Sequence, residues 1–451
     1  MTRISFSSWV YLVVAVLSIA VELYPLPGVE RVIPVLIILF LMLEFTTAPR
    51  TQQVVAVLLC SAGLAIGMIM GSGMEVMVDG LRRSQLFLVL FAAVAWLQIP
   101  AGQSPSLNAA RETVEAQPPG RRFLVLAGAA HGLGAVLNLA GISLLSSMIG
   151  KQESPAIKKR LTRGLMIGFS SGSCWSPFFV GTAVILSILP SVRWLEVAPF
   201  GMAAGILIIA GGWIFDRTFV DPGPRSAPAP PVPLPLPARW RLAGVLLTLF
   251  VIVIGMVEIA GLSIPIVLGL VAPPYALIWV LSFSERRPSA AAAALVTRVV
   301  GGLAGLRSEA LLFVGANMFG AGVASVVTPD MVGNALSSLA WPPQVMIACL
   351  IAGIIWIGAL GLHPVVPVVL IGQVLPPEVL GVAPEIMGLA MLTTWGLSTT
   401  VSPYSATVLY MSRITGASVW TIAWRWNSPL VLILNGMVVL GVLAVMSLNI
   451  Y

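Results

Sequence analysis

Charge is what this 451-residue chain has least of. Asp, Glu, Lys and Arg together make up 9% of it, where a soluble domain carries about 25%. So few charges cannot cover a water-facing surface, and a soluble globular fold is excluded. Histidine is scarcer still, with only His131 and His363. Cys60, Cys174 and Cys349 lie in apolar segments, odd in number and without paired spacing, which argues against a disulfide framework or a zinc site. There is no P-loop and no His-Glu-x-x-His, so no nucleotide-driven motor and no hydrolase of that kind is evident. Gly132-Leu-Gly134 and Gly320-Ala-Gly322 begin no dinucleotide fingerprint and read as close helix contacts. Acidic pairs are missing from the centres of the apolar runs. Glu22, Glu44 and Glu258 fall toward run ends, where exposure is the default. No catalytic cluster stands out, and the chain is not expected to be an enzyme.

What is present is apolar: 58% hydrophobic residues and a mean hydropathy of +1.00. Runs of about 20 residues suit membrane-spanning helices and are too long for barrel strands. The expectation is an all-α polytopic membrane protein. Eleven crossings are read near 8–24, 32–46, 53–71, 85–100, 164–188, 197–215, 242–260, 264–284, 308–328, 386–411 and 428–449. The N-terminal run Trp9–Ala20 admits a signal-peptide reading, but it lacks a clear small-residue cleavage site and is read as a retained helix within an element 1–31.

Two further apolar segments, 123–150 and 344–372, fit poorly as spans. Each is about 28 residues, roughly 42 Å as continuous helix, when one crossing needs about 30 Å and two need about 60 Å. Each is also interrupted in its second half, by Asn138-Leu-Ala-Gly141-Ile-Ser143 and by Gly361-Leu-His363-Pro364-Val-Val-Pro367. Both are read as re-entrant hairpins, tolerated where such backbone lines a protein cavity. That topology puts all 24 Lys and Arg residues except Arg31, Arg82, Arg83 and Arg193 on the N-terminal side. The N-terminus is therefore expected in the cytoplasm and the C-terminus outside. The net charge of +7 is then a topology signal, and no nucleic-acid partner is expected.

Two stretches resemble one another: Gly-Phe-Ser-Ser-Gly-Ser-Cys-Trp-Ser-Pro at 168–177 and Thr-Trp-Gly-Leu-Ser-Thr-Thr-Val-Ser-Pro at 394–403. Proline removes a backbone donor and clashes with the preceding turn, so each is read as a break within a helix, at 164–188 and 386–411. Each break follows a hairpin, and five crossings per unit make the two copies inverted: repeat 1 over 32–215 and repeat 2 over 242–451. Between them, 216–241 is read as a cytoplasmic linker, polyproline-like across Pro222–Pro237.

Broken helices at matching places in two halves point to a transporter's binding site. The candidate substrate-binding residues are Asn138, Gly141 and Ser143 at the first tip and His363 and Pro364 at the second, with Ser171, Ser173 and Ser176 in one break and Ser398, Thr399, Thr400 and Ser402 in the other. The plainer alternative is that these hydroxyls only satisfy freed backbone groups or let helices approach. Asn138, Ser173 and Thr399 are the candidate neighbours of a sodium ion. His131 and His363 are proton-coupling candidates, because an ionisable group at membrane depth is costly; either could equally be a neutral histidine bonded across helices. Asn317 reads as a helix–helix hydrogen bond. A site of hydroxyls, an amide and helix ends suits an anion.

On the hairpins and the Ser-Pro breaks, the chain resembles the ion transporter superfamily, which includes divalent-anion/sodium symporters, citrate and arsenite carriers and the membrane subunits of TRAP transporters. The dicarboxylate branch carries Ser-Asn-Thr at both tips, and of that triplet this chain keeps only Asn138. The resemblance implies elevator-type alternating access and a homodimer. Together with the site chemistry, it leads to the expectation of an ion-coupled secondary transporter of a small organic anion in a bacterial cytoplasmic (inner) membrane, with Na+ or H+ as coupling ion and no cofactor. The alternatives are a cation/proton antiporter or exporter, and a membrane subunit that needs a soluble partner.

Overall fold

The computed structural model describes residues 4–150, 154–219, 233–284 and 287–448. Regular structure among the described residues is helical throughout. In chain order the α-helices are α1 (Phe6–Leu23), α2 (Val29–Glu44), α3 (Arg50–Ile69), α4 (Gly73–Gln103), α5 (Pro105–Glu115), α6 (Pro119–Leu137), α7 (Leu139–Gly150), α8 (Pro155–Gly172), α9 (Val180–Ile188) and α10 (Trp194–Phe219). They continue with α11 (Leu236–Ala260), α12 (Ile264–Leu281), α13 (Pro288–Gly302), α14 (Arg307–Ala324), α15 (Pro329–Leu339), α16 (Pro343–Ala359), α17 (Val365–Val374), α18 (Pro384–Val401), α19 (Ala406–Thr415) and α20 (Ser428–Ser447). A π-helical turn, Thr421–Asn427, runs directly into α20. Proline opens α5, α6, α8, α16 and α18, where its missing N–H would have no partner anyway.

Eight helices, one of them joining α13 to α14, are long and apolar enough to cross a membrane, or nine if α15 and α16, bent by 113°, form one span. The chain is an integral, polytopic, all-α membrane protein. Three of the eleven expected crossings fall outside that count for visible reasons. α2 has 16 residues, and the other two are the broken pairs α8–α9 and α18–α19: α9 and α19 have 9 and 10 residues, while α8 and α18, at 18 residues each, are not apolar enough. Three helices lie where the sequence reading placed loops: α5, α13 and α15. Of the expected linker, 220–232 lies outside the described residues, while its flanks are helical, α10 reaching Phe219 and α11 starting at Leu236. Pro237 fits there because a first helical turn tolerates proline.

The chain forms two compact units. Unit 1 comprises Met1–Gln103, Leu249–Ala335 and Val369–Pro376. Its helices approach closely through glycine: a Cβ on Gly80 would lie 2.8 Å from the Met318 Cα, and Gly63 lies against the Met318 carbonyl. Asn317, expected to bond across helices, instead donates to Phe313 O of its own helix at 2.9 Å.

Glu44, expected to be exposed, is 9% exposed. It accepts from Ser7 Oγ at 2.5 Å, from Thr47 Oγ1 at 2.8 Å and from Arg307 Nη1 at 3.2 Å. These groups come from α1, the turn after α2 and α14, so burial follows from packing that the end of an apolar run does not reveal. Glu44→Ala removes the shared acceptor and is expected to lower stability by about 2–3 kcal/mol. The check is thermal melting of the purified protein; a shift no larger than that of Glu22→Ala, at an exposed position, would reject the prediction.

Unit 2 comprises Ser104–Thr248, Leu336–Val368 and Pro377–Tyr451. A short helix, a longer apolar helix entered through Pro-Pro, a second short helix and a broken helix follow one another in α5–α9, and again in α15–α19. Every candidate site residue belongs to this unit.

A candidate site where two broken helices cross

The first half of the site forms where α8 stops. After Gly172 the chain runs without α-helix through Ser173–Phe179 until α9 begins at Val180. Ser176, before the proline, donates its hydroxyl to the Ala135 carbonyl of α6. Asn138 is the single residue between α6 and α7. Its φ of 52° lies in the left-handed region, which asparagine tolerates better than most residues. Its amide Nδ2 donates to the Phe178 carbonyl in the break at 3.2 Å. A Cβ on Gly141 would lie 2.9 Å from the Gly134 nitrogen, although residues seven apart in a straight helix stand about 10 Å apart. α7 therefore folds back on α6. Gly141 makes that approach possible, and its own N–H donates to the Asn138 carbonyl at 2.9 Å.

The second half repeats these devices. α18 stops at Val401, and α19 starts at Ala406 after the break Ser402–Ser405. Ser402 donates to the Leu362 carbonyl at 3.3 Å, as Ser176 does to Ala135. Ser398 donates to Ile354 O of α16 at 3.2 Å. Gly361, at φ 111°, holds a backbone shape that a side chain would strain and lies beneath the Tyr404 ring. His363 Nδ1 accepts from the Val365 N–H at 3.2 Å, and its ring meets Trp395 edge-on at 6.1 Å. Pro364 is buried before α17, its carbonyl accepting from Val368 N–H at 3.1 Å.

The start of the first break meets α18. α8 and α18 cross where Gly396 lies against the Ser170 carbonyl and the Ser173 hydroxyl. Beside it, Trp395 is packed against Gly181 of α9 and against His363. Of the candidates, Ser173 stands at this crossing, Ser171 and Ser176 lie before and after it along the first broken helix, and Ser398, Thr399, Thr400 and Ser402 follow Gly396 along the second. Ser143 differs from its expected place at the tip. It is exposed, lies inside α7 and accepts from the Tyr410 hydroxyl of α19 at 3.3 Å, because α7 already begins at Leu139.

The hydroxyl hydrogens are engaged. Ser171 donates to Gly168 O, Ser173 to Ser170 O, Thr399 to Gly396 O and Thr400 to Leu397 O, all at 2.7–2.8 Å. These groups therefore present lone pairs, which suit a cation or a donor. Anion chemistry falls to the helix starts. α9 has no side-chain cap, so its first N–H groups and the positive end of its dipole are offered.

His131 sits within α6, away from the tip. Trp175 Nε1 can only donate, so His131 Nε2, at 3.2 Å, must accept and carries no hydrogen. The hydrogen of a neutral ring is then on Nδ1 and points to Ser171 Oγ at 2.8 Å, whose own hydrogen goes to Gly168. Adding a proton would break the Trp175 bond.

As site residues, Trp395, Gly396, Tyr410 and the π-helical turn escaped the sequence reading. One signal was available: Trp194 and Trp420 are separated by the same 226 residues as Ser176 and Ser402. Both tryptophans lie at the breaks, Trp194 Nε1 donating to the Trp175 carbonyl at 2.7 Å and Trp420 packing 6.0 Å from Tyr404.

No protein-family profile and no curated protein sequence matches the chain. Its fold is similar to the crystal structure of the Alcanivorax borkumensis YdaH transporter, described as having an unusual topology. The TM-score is 0.51 at 15% identity, over 80% of this chain and 85% of that one. The likeness is one of fold.

Proposed function

We propose that this chain is an ion-coupled secondary active transporter of a small organic anion of the carboxylate type, working by elevator-type alternating access. The observation that carries the reading is the crossing at Gly396. There two broken helices, each tied to a hairpin tip by the serine of its Ser-Pro pair, cross one another. The anion is bound at the uncapped start of α9, with Asn138 beside it, since the start of α19 is already capped by Ser405. The lone pairs of Ser173 and Thr399 face a coupling cation. The division of the chain supports the elevator: hairpin tips and broken helices all fall in unit 2. The similar fold of a protein described as a transporter adds to this.

Thermal melting with a panel of small carboxylates, in sodium or potassium and at two pH values, tests the reading, since a ligand of the folded state raises apparent stability. A sodium-dependent shift with one carboxylate is expected, and it should be lost in Asn138→Ala and Ser402→Ala. No shift with any anion, beside a shift from pH or a cation alone, would overturn it.

A second reading, cation/proton antiport, is favoured by one observation. Glu309 in α14 holds Oε2 buried without a hydrogen-bond partner among the described residues.

A further inference from the structure

Asn427 ends the π-helical turn before α20 and is 0% exposed. Its amide orientation is determined by its neighbours. Nδ2 lies 3.2 Å from the Thr400 carbonyl and 3.4 Å from the Met166 sulfur, and both of these only accept. The amide cannot be flipped without setting oxygen against oxygen. Oδ1 is therefore a buried acceptor, and it has no donor among the described residues. An unanswered buried acceptor is costly, and π-helical turns recur at functional positions.

Its surroundings suit a positive charge. Thr400 belongs to the last turn of α18, the negative end of that helix's dipole. The amide's N–O separation is about 2.3 Å by covalent geometry, so Oδ1 stands within about 5.5 Å of the Thr400 oxygen. At this helix end, Ser398 O accepts from Ser402 N–H and Thr399 O from Ser405 Oγ, and each carbonyl retains a second lone pair. The π-helical turn is anchored where such an ion would matter. Trp424 Nε1 donates to Ala359 O at the end of α16, 2.9 Å away, and Trp420 packs on Tyr404 in the break. The available ligands are neutral oxygens. Among the described residues no group of three His, Cys, Asp or Glu could hold a metal ion, which points to a monovalent ion over a divalent one.

We infer that Asn427 Oδ1 is a ligand for the coupling sodium ion, seated at the C-terminal end of α18 beside Thr399 and Thr400. The ion ties the π-helical turn to the second break. This deepens the proposed transport function and rests on it for the ion's role, though not for its binding.

The test is melting of the purified full-length protein titrated with NaCl, with KCl keeping ionic strength constant, for the wild type, Asn427→Leu and Asn427→Asp. A sodium-specific rise is expected in the wild type. Asn427→Leu should raise the half-maximal sodium concentration by about tenfold or more. Asn427→Asp sets its second oxygen against the Thr400 carbonyl and should melt lower without sodium, yet it keeps and charges the ligand oxygen and should lower the sodium midpoint, which also guards against a leucine variant that merely folds badly. An unchanged sodium midpoint in both variants, or no sodium response in the wild type, would overturn the inference and leave a trapped water as the partner of Oδ1. A carboxylate shift surviving either result would leave the transport reading standing. Loss of the sodium response in Asn427→Leu, with no anion shift in any protein, would support the cation site and reject the anion reading.

Discussion

Gly396→Ala is expected to damage both the stability of this protein and its carboxylate response. The added Cβ falls on the Ser170 carbonyl and the Ser173 hydroxyl, and a backbone carbonyl within α8 cannot rotate aside as a flexible side chain would. Overpacking of this kind costs about 1–3 kcal/mol, and a clash against backbone belongs at the upper end of that range. The crossing can relax only by separating α18 from α8, which also moves α18 away from the start of the first break. The variant is therefore expected to melt lower and to lose the carboxylate shift together. Gly436→Ala in α20 is the control, because nothing lies within 4 Å of its added Cβ and replacing glycine in a helix is stabilising by roughly 0.5–1 kcal/mol. Equal melting of the two variants would show that the crossing is looser than described.

Asp216→Ala is expected to cost about 3–5 kcal/mol, the loss typical of a broken buried ion pair. The Asp216 carboxylate, with 4% side-chain exposure, receives Arg160 through Nε at 2.8 Å and through Nη2 at 2.7 Å. Arg163, also buried, stands 5.3 Å over Phe215 and donates to the Trp426 carbonyl at the end of the π-helical turn. Without Asp216, two guanidinium groups remain at this junction of α8, α10 and the π-helical turn with no carboxylate opposite Arg160. Removing both charges, in Asp216→Leu with Arg160→Leu, should recover much of the loss, since an apolar pair of similar volume is often as stable as the ion pair it replaces. Melting of the single and double variants decides the matter. A double variant no more stable than Asp216→Ala would mean that packing rather than charge holds the junction.

Particular residues show where sequence reasoning reached and where it stopped. The Ser-Pro breaks were legible because Pro177 and Pro403 act on their own backbone within one turn. Asn138 was legible as a turn residue, but the extent of the turn was not. Leu139–Ser143 was read as part of the interruption, yet it is helical, because the packing of Gly141 on Leu133 and Gly134 lets a new helix begin at once. α5 and α15 were read as loops because they are short and carry no long apolar run; they lie instead as matching helices ahead of α6 and α16. Glu44 was assigned by its place in a run, and the groups that bury it come from two other helices. Gly396 was read within the motif 394–403 as part of a helix break, yet it lies inside α18, and its closeness to Ser170 was not legible.

By itself the sequence determined that this is a polytopic helical membrane protein and that two of its helices break at Ser-Pro. Those properties depend on hydrophobic length and on backbone donors removed by proline, both read within about 20 residues of chain. Only the tertiary structure decided that α8 and α18 cross at Gly396, that the hydroxyl hydrogens point to carbonyls, that both nitrogens of His131 are engaged, and that Asn427 keeps an unanswered oxygen beside Thr400. Each of those outcomes depends on which partner a group meets, and the decisive partners, such as Ser170 for Gly396, stand far away in sequence, where no local pattern records them.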